Sequence, residues 1–578
     1  MTLLEAFVGA VRRRSLTESA VSLLPTVFLL VTVGIPFGFF LWGSFWSTTP
    51  GFGGQFTLAG YETALTHPTV RGILGNTLVL GLLGTLSAVV IGLLTMVYTL
   101  KMDGPRWLQS AVSAIMIVQL LMPTFIQGLA WNFYLGPNGP VNTVLMLLPV
   151  IDSPVVSANN IWTISFIFGT HYAGLVYLLT SGAVRSIPPS LEEIGLISGA
   201  RTRAIFTAVD FPLILPSLFI AGVIVFSRAI QSFGLPLVLG LPDGVYVLAT
   251  LMYLELSEYP TNFTFIAAVG IIILLLSLGL LWLQRRISGP SERYETLRGA
   301  GERTEALRFF QSRAFGTLFL AFVALAYLLP ILMMVLGSLQ QAWVGLNSQF
   351  VEWSLEGYRL LFSTEWSDLF YSSILNSALL GTVTASFALL LAMIISYLSV
   401  KTDRRLGSFL NYLSYTPLVI PGIVLASALQ WMLLEYNDVL GFLYGSFTIL
   451  VVAYAAKFLV YGVRAANSSL RAVGSNLEEM GRISGASRLT IAREIYAPLM
   501  RPGLLSGFLI IFIDTTKSLS IAVILGGDGG VKIVQSAIWH LISQGEANAA
   551  AAYSVILTLI LVAVYVVAYR LGIEITSI

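Results

Sequence analysis

The chain has 578 residues, of which 56% are hydrophobic and 10% charged, with a formal net charge of +2. A soluble domain carries roughly 25% charged residues, so this composition excludes a soluble enzyme, a nucleic-acid binder and a disordered scaffold. The chain has no cysteine, which removes disulfides, iron–sulfur clusters and thiolate sites, and its three histidines (His67, His171, His540) are too scattered for a metal centre. A mean hydropathy of +0.85 points to an all-α polytopic membrane protein.

A helix needs about 20 mostly apolar residues to cross the hydrocarbon core, because lipid leaves no backbone group a partner outside the helix. Twelve stretches qualify, near 21–45, 74–98, 108–133, 161–180, 213–232, 263–283, 315–337, 374–399, 409–433, 447–463, 503–524 and 553–571. The first follows Arg12, Arg13 and Arg14 and is too long for a signal-peptide core, so it reads as a retained span. With both termini in the cytoplasm, 25 of the 31 basic residues fall on the cytoplasmic side, three outside (Arg71, Arg359, Lys532) and three within spans (Arg228, Lys457, Lys517). That bias fixes the expected orientation. The outer loops hold about 13 acidic residues on the same sorting.

The chain repeats itself. Residues 191–200 read LEEIGLISGA and residues 477–486 read LEEMGRISGA, eight of ten identical at an offset of 286. The same offset pairs Pro212 with Pro498, Pro216 with Pro502, Phe226 with Phe512 and Ser232 with Ser518. Upstream, at offsets of 297 to 300, Tyr61 pairs with Tyr358, Asn76 with Asn376, Lys101 with Lys401 and Pro123 with Pro421. Each half holds six spans and runs in the same direction, so the repeat is parallel, about an axis along the membrane normal. The expected division is a first module at 1–283, a cytoplasmic linker at 284–314 with seven arginines and four glutamates, and a second module at 315–578.

Both LEE segments fall in cytoplasmic loops, near 186–212 and 465–502, between the fourth and fifth span of their half. One copy runs Glu192, Glu193, Ile194, Gly195, Gly199, Val209, Pro212; the other runs Glu478, Glu479, Met480, Gly481, Gly485, Ile495, Pro498. The spacing predicts a short amphipathic helix, a glycine-permitted turn and a second helix leading to a proline at the start of a span. A single copy reads equally as an interfacial anchor. Two copies at equivalent positions point instead to a paired docking surface for a partner with twofold symmetry.

This pattern resembles the EAA motif of permease subunits in bacterial binding-protein-dependent ABC importers. The departures are Ile194 and Met480 for the first alanine, Gly195 and Gly481 for the second, Val209 for an isoleucine, and Phe211 and Ala497 for a leucine. The resemblance covers nearly the whole chain as two fused permease modules, similar to the ferric-iron type, with thiamine, polyamine and phosphonate permeases as relatives. The stretches 512–519 and 226–236 look like that group. The resemblance implies the type I importer permease fold, two copies of an ABC ATPase gripping the motif loops, a periplasmic solute-binding protein, and a multi-pass place in the bacterial inner membrane. Its cargo would be ferric iron or another small cationic solute, which the acidic outer loops also favour; an organic ion is the alternative. No phosphate-binding G-x-x-x-x-G-K-[ST] occurs, so ATP and magnesium are expected on the partner, with no cofactor, metal or enzymatic activity in this chain. Hydropathy alone also fits a twelve-helix ion-coupled secondary transporter.

Charges inside spans need partners or water. Arg228 and Asp514 are equivalent and expected near the bilayer midplane, where they either face each other across the halves or leave Asp514 to pair with Lys517 on its own helix. Gln231 neighbours them as a further candidate path residue. Lys457 is expected to snorkel to the inner surface. Pro123 and Pro421 should interrupt their helices. The loops after the fifth spans also match, Tyr253 with Trp539 among them, as the resemblance implies for segments dipping toward the pore mouth.

Overall fold

The computed structural model describes residues 16–288, 308, 311–346, 350–402, 404–473, 475–486, 488–527 and 529–570. Most of the expected linker (289–307, 309 and 310) and Arg12, Arg13 and Arg14 lie outside the described residues. Among those described there are no strands, only two isolated bridges, Trp46 with Phe56 and Gln340 with Trp353.

Among the described residues, ten principal helices in each half carry the architecture, with shorter ones between them. In the first half they are α1 Ser22–Gly43, α2 Pro68–Lys101, α3 Arg106–Leu121, α4 Thr124–Leu135, α5 Ile161–Arg185, α6 Pro189–Ile197, α7 Thr202–Ile230, α8 Gly234–Leu239, α9 Leu248–Ser257 and α10 Phe263–Ser288. The second half repeats the order as α11 Arg313–Ser338, α12 Ser367–Lys401, α13 Arg404–Val419, α14 Gly422–Glu435, α15 Phe447–Ala472, α16 Ser475–Ile483, α17 Arg493–Lys517, α18 Ser520–Leu525, α19 Val534–Ser543 and α20 Ala547–Arg570.

The third span of each half corrects the sequence reading. Residues 108–133 and 409–433 are not straight spans: α3 and α4 meet at 112°, and α13 and α14 at 102°. The cause is the expected one. Pro123 and Pro421 offer no N–H and hold extended backbone, with ψ of 136° and 144°, so each ends one helix and starts another. Among the described residues, ten helices are thus long and apolar enough to cross alone, or twelve spans if each bent pair counts as one. The fifth spans also differ from expectation, because α7 and α17 begin about ten residues before the apolar stretches at 213 and 503.

Prolines inside the spans have a recurring local solution. π turns occupy 30–34, 206–210, 324–328 and 492–496, and a proline (Pro36, Pro212, Pro330, Pro498) follows two residues after each. The wider i→i+5 turn makes room for a ring that an α turn would press against a carbonyl. Pro212 and Pro498 therefore shape the starts of α7 and α17.

The halves exchange their first helices. Phe28 and Phe39 of α1 stack edge-on against Phe387 and Tyr436 of the second half, 5.3 and 5.5 Å between centroids. Phe319 of α11 packs on Tyr98 at 5.2 Å, and Trp343, just beyond α11, packs on Phe133 at 5.1 Å. The sequence repeat and the packing unit consequently do not coincide.

Candidate coupling and translocation sites

The two motif copies fold alike. Gly199 and Gly485 adopt φ of +73° and +77°, the left-handed conformation that ends a helix at lowest cost when no Cβ is present. Behind them, the Ala200 and Ala486 amides donate to the carbonyls of Gly195 and Gly481, at 3.0 Å in both copies. Gly195 and Gly481 serve close approach: a Cβ there would meet Ile205 at 3.0 Å or Ile491 at 3.2 Å. The motif's usual alanine is thus replaced by the residue that lets α6 and α16 lie against the following helix.

What these helices expose is also duplicated. Leu191, Ile194 and Ile197 are 43, 61 and 86% accessible, and their counterparts Leu477, Met480 and Ile483 are 43, 63 and 86% accessible. Glu193 and Glu479 are exposed beside them. An apolar stripe spaced i, i+3, i+6 lies on one helix face.

Glu192 corrects the reading of the motif as a uniformly docking element. It is buried, with Lys101 Nζ 2.5 Å from its Oε1, and Lys101 also lies 3.3 Å from Asp210 Oδ1. Burial pushes the Glu192 carboxyl above its usual range, outweighing the opposing pull of the Lys101 ammonium. Through Lys101, Glu192 therefore ties α6 to the C-terminal end of α2 and to the first third of α7. The side chain of its counterpart, Glu478, lies outside the described residues. In the second half Tyr496 stands where Asp210 does, and Lys401 lies 5.5 Å over its ring.

Between the halves the open question about Arg228 resolves in favour of the local pair. Asp514 Oδ1 lies 2.8 Å from Lys517 Nζ, and the Arg228 guanidinium donates instead to Tyr461 Oη at 2.6 Å. Arg228 still bridges the halves, since Tyr461 belongs to α15, and it remains close enough to Asp514 and Tyr172 to interact electrostatically. Arg228 and Asp514 sit in the last turns of α7 and α17, not mid-helix, because both helices start earlier than their apolar stretches. Gln231, just past α7, donates to Ser227 Oγ at 3.2 Å.

Lys457 does not snorkel. It is buried and donates to the carbonyls of Pro417 (3.2 Å), Leu418 (3.4 Å) and Ile420, at the break between α13 and α14. Its ammonium satisfies carbonyls that the proline break deprives of helix partners.

The equivalent residues Tyr253 and Trp539 of the two halves meet. Trp539 Nε1 donates to Tyr253 Oη at 3.3 Å, and the rings pack with Phe233 and Phe125. Equivalent residues touch each other only near the axis relating them, so this aromatic cluster marks the pseudo-twofold axis. Asn76 and Thr77 on α2 hold the approach to α9, through Tyr246 O at 3.0 Å and the Leu248 amide at 3.0 Å. Asn376 and Ser377 do the same for α19.

Sequence reasoning missed Asp210, Tyr461 and Tyr172, and used Lys101 only as a marker of the repeat. For Lys101 a signal existed: a lysine recurring at the C-terminal end of the same helix in both halves.

The comparisons agree with this architecture. The chain is 25% identical over 455 residues to the ferric transport system permease protein FbpB of Actinobacillus pleuropneumoniae, covering 78% of this chain and 64% of that one. It therefore spans just under two thirds of that relative's length. It is 21% identical over 501 residues to the Fe(3+)-transport system permease protein FbpB 2 of Haemophilus influenzae, covering 86% of this chain and 89% of that one. One half resembles the spermidine/putrescine transport system permease protein PotC of Haemophilus influenzae, 29% identical over 265 residues, 44% of this chain and 95% of that one. The family of binding-protein-dependent transport system inner membrane components matches twice, over residues 88–289 and 387–572. With one match in each half, together spanning more than half of its length, the chain belongs to that family.

Proposed function

We propose that this chain is the fused, pseudo-dimeric permease of an ATP-driven importer, and that ferric iron, delivered by a periplasmic binding protein, is its solute. The observation that carries the mechanism is the pair of equally exposed apolar stripes on α6 and α16. Each is a seat for one ATPase subunit, and two seats related by a pseudo-twofold axis suit a partner of two copies. The chain carries no phosphate-binding loop, so hydrolysis is assigned to that partner. Both termini and both stripes face the cytoplasm on the basic-residue bias.

On this reading, closure of the ATPase pair moves α6 and α16 together, and the halves rock about the axis marked by Tyr253 and Trp539. Solute released at the outer face passes the aromatic cluster and then the layer of Arg228, Tyr461, Asp514 and Lys517. Iron is supported by the names of the two longest-matching relatives described above and by the outer loops, whose roughly 13 acidic residues raise local cation concentration. A polyamine is the second reading, favoured by the likeness of one half to PotC. The ion-coupled carrier is disfavoured because such a protein has no use for two matched cytoplasmic docking helices. The test is uptake of labelled ferric iron, spermidine and 2-aminoethylphosphonate by proteoliposomes containing the chain with an ABC ATPase and a solute-binding protein of its source organism. ATP-dependent accumulation of iron alone supports the reading, and accumulation of another solute alone replaces the cargo.

A further inference from the structure

We propose that a groove between α2, α5 and α11 is a binding site for one anionic phospholipid, seated where the exchanged helix of the second half meets the first. The groove has a volume of about 450 Å³ and is apolar, with Leu86, Ser87 and Val90 of α2, Phe166 of α5, and Leu318 and Phe322 of α11 in its walls. Leu86, Val90 and Leu318 are exposed. All three helices are long and apolar enough to cross a membrane, so the groove opens on hydrocarbon, where the available occupant is an acyl chain. From Phe315 to Phe322 the α11 wall runs about 10 Å at 1.5 Å per residue.

The charge at one end of the groove selects the lipid. α11 starts at Arg313, two residues before Phe315 of the groove wall, and Arg313 is exposed. Arg308, also exposed, donates to Gln109 Oε1 on α3. Gln109 in turn donates to the carbonyls of Tyr98 (3.2 Å) and Met102 (2.9 Å) at the end of α2. Tyr98 packs on Phe319, and Met102 reaches the face of α11 at Gly316, where a Cβ would lie 2.7 Å from its Cε. Both arginines thus stand at the seam between α2 and α11 from which the groove runs. Among the described residues neither makes an ion pair. The same corner holds Arg106 against one carboxylate, Asp103, and the exposed Trp107, an indole of the kind that sits at headgroup level. Basic side chains at that level attract anionic headgroups. A phosphate at the arginines and a chain in the groove are the two ends of one molecule.

The second half fills the corresponding place with its own side chain. At the offset of 300 that pairs Asn76 with Asn376, Ser87 is replaced by Phe387. At the offset of 294 that pairs Pro36 with Pro330, Phe322 corresponds to Phe28. Phe28 is buried, and its ring packs on Phe387 at 5.3 Å. Where the second half has a phenyl ring, the first has a serine and an open groove, whose walls lack contacts on one side until something fills it. The lipid therefore does for α11 what Phe387 does for α1.

The test is native mass spectrometry of the full chain released from detergent, with phosphatidylglycerol or phosphatidylcholine of equal chain length added. The wild type should hold one phosphatidylglycerol about tenfold or more tighter than phosphatidylcholine. Arg308→Gln/Arg313→Gln, which changes exposed residues alone, should bring that preference below about threefold. Ser87→Phe, which copies the second half, should lose the tightly held lipid of either kind. Ser87 also faces Gly169 of α5; if the phenyl ring there prevents folding, Val90→Trp fills the groove from its exposed rim and should give the same loss. Equal retention of the two lipids by the wild type overturns the site, as does tight phosphatidylglycerol binding that survives the arginine substitutions or the filled groove.

Discussion

Replacing Ile194 and Ile197 on α6, and Met480 and Ile483 on α16, by serine removes the two most exposed residues of each apolar stripe without touching the interior. Fully burying a side chain of this size stabilises by about 1.5–3 kcal/mol. In each helix the two residues are 61 or 63% and 86% exposed, so nearly one and a half side chains' worth of surface remains to be buried by a partner. That amounts to roughly 2–4 kcal/mol per coupling helix, or about 30- to 1000-fold in Kd. The assay is titration of the ATPase onto the permease in lipid nanodiscs, wild type against variants of one helix and of both. Because the replaced groups are exposed, the free permease should keep its thermal midpoint while ATPase affinity drops. A change of less than threefold with both helices so altered would refute the reasoning.

Three further outcomes follow from the same geometry. Gly199→Ala and Gly485→Ala meet no atom within 4 Å but hold φ near +75°, so each should destabilise its turn by about 1–2 kcal/mol, read as faster amide exchange in α6 or α16. Lys457→Met leaves the carbonyls of Pro417, Leu418 and Ile420 unsatisfied and should lower the detergent-solubilised thermal midpoint, by a free-energy loss of about 2 kcal/mol or more; an unchanged midpoint would mean the ammonium does not cap the break. Since burial raises the Glu192 carboxyl above its ordinary 4.5, the folded state favours the protonated form. Its contribution to stability is then complete below about pH 4.5 and lost as pH climbs through the folded value, and Glu192→Gln should flatten that part of the stability–pH profile.

Much of this fold was legible because lipid restricts what a chain can do. Apolar length located most of the spans, and the LEE repeat located the two motif loops. The bends at Pro123 and Pro421 were legible as interruptions but not as angles above 100°, since a proline removes a hydrogen bond without dictating where the next helix points. The early starts of α7 and α17 were hidden by charges such as Asp210 and Glu494, which lower hydropathy although the helix continues. Partner choice was the least legible. Asp514 had candidates on two helices, and only packing brings Tyr461 to Arg228 and Lys457 to the broken helix end. The exchange of α1 and α11 between halves leaves no periodic trace in the sequence at all.

The central claim, that this chain converts ATP hydrolysis on two partner subunits into solute import, is tested most directly in proteoliposomes holding the permease, its ATPase and binding protein, with ATP inside or outside and an imposed ion gradient as the alternative drive. Solute uptake that requires ATP and binding protein, and that is lost when these stripe residues of α6 and α16 are replaced by serine, is the result predicted here. Uptake driven by the ion gradient without the ATPase would contradict it.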